Sequence, residues 1–327
     1  MTISEIADLC GVSKRTVSRV INNNKNVRSE TRERVLSAIS EHNYRPNTFA
    51  RNLSRKGSRT LLISIHKTRN MANTIWIDLL INELIDQARL NNFRILVEPY
   101  FNEFDTRNSA MIESGMIDGV VIFYEQREDP RIDLVRNFGI PHLVYGKSLN
   151  GAPFVSSDNR GAAFSAFEYL LSHGLTRSIL ISGTRVGSNI DRAEGAYAAY
   201  EQNGRDTGDL KVVWDIHSPQ DVDAFVSSLI DEGDLPDVFF VSGDQKTLGV
   251  YKAISEHNLR IPDDVSVMGF DDIPISKYLH PSLTTVAQDF RNLAAGILDN
   301  LEKTMRGEAV AEQTLVPARL VIRESTR

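Results

Sequence analysis

Apolar residues recur at helical spacing in three short stretches at the start of the chain. Ile3, Ile6, Ala7 and Cys10 share one face of a first helix. Val17, Val20 and Ile21 line a second helix, from Ser13 to about Ile21, and Val35, Leu36 and Ile39 line a third, from Ser29 to about His42. The boundaries are equally legible. Thr2, followed three residues on by Glu5, forms a capping box, because each side chain can satisfy the other's free backbone N–H. Gly11 ends the first helix, where a left-handed residue is needed, Val12 fills the turn and Ser13 caps the second helix. Pro46 then interrupts the chain. Asn47 to Ser54 is a candidate short helix, closed by Gly57. Helices shorter than roughly 12 to 15 residues are marginal in water, so this one is expected to fold only when paired on a partner.

From Thr60 the rhythm changes to strand-like apolar runs alternating with amphipathic helices. Strands are expected at 61–65, 94–97, 119–123, 143–145, 178–181, 238–241 and 265–269. Helices are expected at 75–91, 110–114, 161–173, 193–203, 222–232 and 247–257. This alternation predicts an α/β fold with doubly wound parallel sheets. Ligands of such sheets bind beyond the carboxyl ends of the strands. Phe123-Tyr124-Glu125, Gly146-Lys147, Ser182-Gly183-Thr184, Gly243-Asp244 and Phe270-Asp271-Asp272 fall there, with Asp158 after the Phe154-Val-Ser run and Arg192 opening a helix. Carboxylates and an arginine converging on a cleft suit a polyhydroxylated ligand, since charge-assisted hydrogen bonds are strong and directional. An aspartate at a strand end is also an ordinary helix cap.

Charge divides the chain in the same place. The 327 residues carry 37 Lys/Arg against 43 Asp/Glu, a net −6. Residues 1–60 alone hold 12 basic against 5 acidic side chains, a local +7 that leaves −13 on the rest. A basic head on an acidic body points to a polyanion-binding module joined to one that is not. Two short helices about a glycine turn, with Lys14, Arg15, Ser18 and Arg19 on the outer face of the second, form a helix-turn-helix. Its second helix fits the DNA major groove, where arginine can pair bidentately with guanine. Ser13 and Thr16 can reach phosphates, which fix register without reading sequence.

The single cysteine, Cys10, excludes a disulfide framework and a cysteine-based metal site, and is expected to be a small core residue. No run approaches the roughly 18 to 20 apolar residues of a membrane span, and the N-terminus lacks the pattern of a secretory signal. Location in the cytoplasm, with no membrane partner, is the expectation. Gly-x-Gly-x-x-Gly, Gly-x-x-x-x-Gly-Lys, His-Glu-x-x-His and Gly-x-Ser-x-Gly are all missing, so neither an enzyme nor a cofactor or metal is expected.

The blocks Gly11-Val-Ser-Lys-Arg-Thr-Val-Ser-Arg-Val and Tyr44-Arg-Pro-Asn together resemble the head of the LacI/GalR family of bacterial repressors. The resemblance runs on through Asp158-Asn-Arg-Gly, Arg192-Ala-Glu-Gly, Asp244-Gln, Ile261-Pro-Asp-Asp-Val-Ser-Val-Met-Gly-Phe-Asp-Asp and the closing Leu315-Val-Pro-Ala-Arg. It implies a three-helix DNA-binding head at 1–46, a hinge helix and linker at 47–57 and a two-lobed, periplasmic-binding-protein-like body at 58–327. The first lobe would take about 58–156 plus 287–314, and the second 157–286 plus 315–327. The implied function is that of a transcriptional repressor, bound as a homodimer to a near-palindromic double-stranded operator and controlled by a small-molecule effector, a sugar or sugar derivative by default. DNA contacts are expected from Thr2, Ser13, Lys14, Arg15, Thr16, Ser18, Arg19, Asn22, Ala50 and Leu53, with Leu53 as a minor-groove wedge. Effector contacts are expected from Tyr124, Asp158, Arg192, Asp244, Asp271 and Trp76.

This sequence departs from the family pattern at several points. Lys67 to Trp76 lacks the Asn-Pro-Phe-Phe type of loop, Gly243 stands where an asparagine often contacts sugar, and Trp214-Asp-Ile-His-Ser lacks the usual stacking aromatic, a face that Trp76 or Tyr124 could supply. No heptad segment follows the last strand-like run, so dimers rather than tail-linked tetramers are expected. A solute-binding protein would share the body but would lack the basic head.

Overall fold

The computed structural model describes residues 2–21, 26–42, 58–67, 75–101 and 106–327, the Ile3 side chain excepted. The chain separates into two compact units, Met1–Ser58 and Arg59–Arg327. The first contains α1 (Ile3–Leu9), α2 (Lys14–Ile21) and α3 (Ser29–Glu41). Ile6, Ala7, Cys10, Val17, Val20 and Val35 form its buried centre, with Val12, Ile21, Val27 and Ile39 packed round it. Leu36, expected inward, is 48% exposed. One residue is about 100° of helix rotation, and with Val35 and Ile39 turned inward Leu36 is carried onto the outer face.

The second unit alternates strand and helix in two sheets. The first sheet has the order β11-β5-β4-β3-β1-β2 and is parallel throughout. It is formed by β1 (Thr60–His66), β2 (Arg94–Tyr100), β3 (Gly119–Phe123), β4 (His142–Tyr145), β5 (Phe154–Ser157) and β11 (Gln313–Val316). Leu61, Ile63 and Ile65 pack one face against α4 (Ile75–Leu90) and α11 (Phe290–Met305). Leu62, Val120 and Ile122 pack the other against α5 (Thr106–Glu113) and α6 (Pro130–Asn137).

The second sheet has the order β12-β10-β9-β8-β6-β7, parallel except for the β10–β12 pair. Its strands are β6 (Ser178–Ile181), β7 (Leu210–Val213), β8 (Val238–Val241), β9 (Ser266–Asp271), β10 (Thr284–Ala287) and β12 (Arg319–Val321). One face is covered by α7 (Asn159–Ser172) and α8 (Gly187–Gln202). The other is covered by α9 (Pro219–Glu232) and α10 (Asp244–Glu256). Burial on both faces is why β8 reads as an unbroken apolar run and β6 as one after Ser178.

The chain passes between the sheets three times, after β5, after β10 and after β11. The expected lobe boundary at 314 falls inside β11, which belongs wholly to the first sheet. In each sheet the strand order reverses beside the first strand, at β1/β3 and at β6/β8, and such switch points open a crevice at the carboxyl ends.

Candidate functional site

The first unit offers one face for a partner. Thr2 is engaged at the start of α1: its Oγ1 accepts the Glu5 N–H at 3.3 Å while its own N–H donates to Glu5 Oε2 at 2.8 Å. Gly11, at φ +58°, makes the left-handed turn that a residue with a Cβ enters only at a cost. Ser13 Oγ accepts the Thr16 N–H at 3.1 Å and lies 2.9 Å from Thr16 Oγ1, so both hydroxyls sit at the N-terminus of α2. Lys14, Arg15 and Arg19 are exposed, and Thr16 and Ser18 are half-buried. Cys10 is buried, its thiol directed at the Arg34 carbonyl 3.8 Å away. Asn22, Ala50, Leu53 and the 47–57 hinge lie outside the described residues.

In the second unit the carboxyl ends of β1, β3 and β4 meet those of β6, β8 and β9 round a cavity of about 790 Å³. That is ample for a small organic ligand. The first sheet contributes an aromatic wall. Trp76 lies 5.5 Å from Tyr145 and 6.1 Å from Tyr124, ring centre to ring centre, and Tyr145 stacks on Phe123 at 4.9 Å. The second sheet contributes the ions Arg192, Lys246 and Asp271. Arg192 donates from Nε to Asn159 Oδ1 at 2.8 Å, and its guanidinium carbon lies 3.6 Å above the Phe270 ring. Gln288, between β10 and α11, ties the two walls together. Its Nε2 donates to Asp271 Oδ1 at 2.7 Å, and its Oε1 accepts from Ser157 Oγ at 2.6 Å and from Tyr145 OH at 3.3 Å.

Burial sets the electrostatics. The Asp271 carboxyl is pushed up to about 7 by desolvation and by the nearby Asp244 charge, against the pull of Arg192, Gln288 and Lys246. Lys246 is pushed down to about 8 by desolvation and the charge of Arg192. Desolvation also lowers Arg192, with Asp271 opposing, and raises the Tyr145 phenol.

Tyr124, Trp76, Arg192 and Asp271 are thus brought together. Asp158 and Asp244 are not, and those two expectations are corrected. Asp158 Oδ1 accepts the Gly161 N–H at 2.9 Å and caps α7, leaving the next residue, Asn159, on the cavity. Asp244 is fully buried behind the wall. It accepts from Thr285 Oγ1 and Ser276 Oγ, each at 2.6 Å, and from the Ile273 N–H at 3.1 Å, fixing the chain after β9. Burial pushes its carboxyl up to about 6 despite those donors. Both lie at strand ends, where a carboxylate that caps and one that faces the cleft look alike in sequence. Trp214 lies against Arg185 rather than on the cavity, while Ile216 and His217 of the same segment line it.

Sequence reasoning missed Tyr145, Lys246 and Gln288. The glycine before α10 was the available signal for Lys246, since it leaves room for a long side chain; Gln288 had none.

Comparison with known proteins identifies the family. Residues 2–47 match the bacterial regulatory proteins of the lacI family, and residues 167–326 match the periplasmic binding protein-like domain. The HTH-type transcriptional regulator AglR of Rhizobium meliloti is 30% identical over 100% of this chain and 94% of its own length. The chain belongs to the LacI family. The ribose operon repressor of Halalkalibacterium halodurans is 29% identical over 100% of this chain and 97% of its own length. The crystal structure of the Lac repressor dimer bound to operator and the anti-inducer ONPF superposes with a TM-score of 0.84 at 26% identity, covering 100% of this chain and 99% of that one. As a LacI-family protein the chain is a DNA-binding transcriptional regulator and not an enzyme. Among the described residues no helix is long and apolar enough to cross a membrane.

Proposed function

We propose that this regulator is a repressor that binds a near-palindromic operator as a homodimer and is controlled by a small polyhydroxylated effector, a sugar or sugar derivative, in the cavity between its two sheets. It acts in the cytoplasm, where its DNA is. The functional division follows 1–46 for DNA, 47–57 for the hinge and 58–327 for the effector and the dimer. The observation that carries the reading is the cavity itself. Two sheets face each other at their switch points, joined by three chain crossings, with an aromatic wall on one side and ions on the other. Aromatic faces suit the apolar face of a sugar ring, and ions suit its hydroxyls. Ser242 Oγ and Gln245 Oε1, on residues lining the same cavity, are buried polar atoms with no hydrogen-bond partner among the described residues. A ribose operon repressor among the relatives, and an operator-bound repressor dimer among similar structures, support the DNA half of the reading.

On DNA, Lys14, Arg15 and Arg19 meet bases and phosphates, while Ser13, Thr16, Ser18 and Thr2 fix register. In the cavity, Arg192, Asp271, Trp76 and Tyr124 hold the effector. A ligand favouring one arrangement of the lobes shifts DNA affinity only by that preference. The test is selection of a duplex from a random library, followed by binding of Arg15→Ala. The expected result is a loss of about 1–3 kcal/mol that relaxes sequence preference at one base position in each half-site. Equal weakening on all duplexes would reduce Arg15 to a phosphate contact, and failure to select any palindrome would remove the dimeric operator.

A further inference from the structure

The cavity also bears on the charge of its ligand. Gly243, at φ +123°, precedes α10 and leaves open the space a side chain there would fill. Lys246 Cε lies 3.5 Å, and Asp271 Oδ2 3.8 Å, from the point its Cβ would occupy. The ammonium group of Lys246 is therefore folded back over the glycine into the cavity, where Nζ donates to the Ile216 carbonyl at 3.1 Å, a neutral partner. Arg192 spends its Nε on Asn159, also neutral, and its terminal nitrogens have no hydrogen-bond partner among the described residues.

Of the other lining charges, Arg127 is exposed to solvent, and Lys147, Glu125 and Asp271 have partners. Lys147 pairs with Asp191 at 2.6 Å. Glu125 accepts from the Leu149 N–H, from Ser148 Oγ at 3.2 Å and from Asn150 Nδ2 at 3.0 Å. Asp271 accepts from Gln288. Two half-buried cations, Arg192 and Lys246, thus face the cavity against one buried carboxylate, Asp271, whose proton is held unusually tightly. Charge buried without compensation is costly, and a ligand that brings the missing charge removes that cost.

We infer that the effector is an acid of monosaccharide size whose carboxylate or phosphate is held between Arg192 and Lys246, with its hydroxyls toward Asp271 and its apolar face on Trp76 and Tyr145. The inference rests on the interlobe cavity being the effector site. A guanidinium presents paired N–H groups that match such an oxyanion bidentately, and a lysine adds a point charge beside it.

The test is titration of the full-length protein with matched probes, followed by thermal melting and by fluorescence of Trp76, with Trp76→Phe as control for the second tryptophan, Trp214. Glucose, galactose and ribose are the neutral probes. Glucuronate, galacturonate and gluconate supply a carboxylate, and glucose 6-phosphate and ribose 5-phosphate supply a phosphate. At least one acid is expected to bind about 10-fold or more tighter than its neutral parent, and the two acidic sets distinguish carboxylate from phosphate. Lys246→Met is expected to remove that preference without lowering the melting temperature of the free protein, because it deletes a partly desolvated charge whose one hydrogen bond is to a neutral carbonyl. Lys246→Arg should keep the preference.

A neutral parent that binds as tightly as its acid, a Lys246→Met variant that retains the preference, or no binding of any acid at millimolar concentration overturns the inference. Neutral sugars that bind and alter operator affinity would overturn it while leaving the proposed function standing. An acid that binds through Lys246 without altering operator affinity would break the proposed function instead.

Discussion

The sheets that carry β1–β5 and β6–β10 follow the same strand order yet present different chemistry at their carboxyl ends. The first ends in rings, Phe123, Tyr124 and Tyr145, with Trp76 of α4 laid against them. The second ends in charge, Asp271 on β9 with Arg192 and Lys246 from the helices that follow β6 and β8. The difference lies in what each loop must do. In the second sheet a fully buried aspartate, Asp244, organises the turn after β9, and its field raises the neighbouring carboxyl of Asp271. In the first sheet the buried pair Asp129–Arg131, 2.7 Å apart, sits behind the rings: Arg131 Nη1 donates to the Ser64 carbonyl at 3.0 Å, and both Nη groups donate to the Phe123 carbonyl at 3.3 Å. The first end keeps this ion pair behind its wall as scaffold, and the second, besides Asp244, turns Arg192, Lys246 and Asp271 toward the cavity.

The sharpest way to break this contrast is to remove an organiser. Asp244→Ala strands three buried donors, each costing about 1–3 kcal/mol, and is expected to lower the stability of the body by at least about 3 kcal/mol in urea unfolding. Asp244→Asn, which keeps one acceptor oxygen, should lose clearly less; equal losses would mean that volume and not hydrogen bonding is at stake. Next comes the ionic wall. Arg192→Ala is expected to weaken the effector by about 2–3 kcal/mol, roughly 100-fold, in calorimetric titration. The aromatic wall should contribute less: Trp76→Ala is expected to cost about 1–1.5 kcal/mol in the same titration. A larger loss at Trp76 than at Arg192 would reverse the assignment of the walls.

The smallest effect is a change of shape in stability against pH. Asp271 and Asp244 hold their protons more tightly folded, at about 7 and about 6, than the 3.8 of a free aspartate. The stability they contribute is complete below 3.8 and is lost as pH rises through 6 and 7. Lys246, depressed from 10.5 to about 8, acts in the other direction: its contribution is complete above 10.5 and is lost as pH falls through 8. The cluster alone therefore places a shallow minimum between pH 7 and 8, which Asp271→Asn should flatten on its acid side. Melting curves of the two proteins over that range measure it.

Much of this was readable in the residues. Thr2-Glu5, Gly11 and the period of Ile6, Cys10, Val17 and Val20 specify the head almost residue by residue, because caps and turns impose local rules. The doubly buried β6 and β8 were equally plain. Short strands with mixed burial, such as β7 and β12, were not, because neither alternation nor an unbroken run survives in three or four residues. Arg192 and Asp271 were legible as residues of the cleft and Asp244 was misread for one reason: a carboxylate's place depends on which donors the fold brings to it. Those of Asp244 come from Ile273, Ser276 and Thr285, some thirty to forty residues further along the chain.

The most direct test of the account is the affinity for the selected operator with and without a saturating cavity ligand, in the wild type and in Arg192→Ala. The account predicts a change of about 5-fold or more in the wild type and none in the variant at the same ligand concentration. A ligand that binds the wild type without moving operator affinity, or that moves it equally in both proteins, would contradict it.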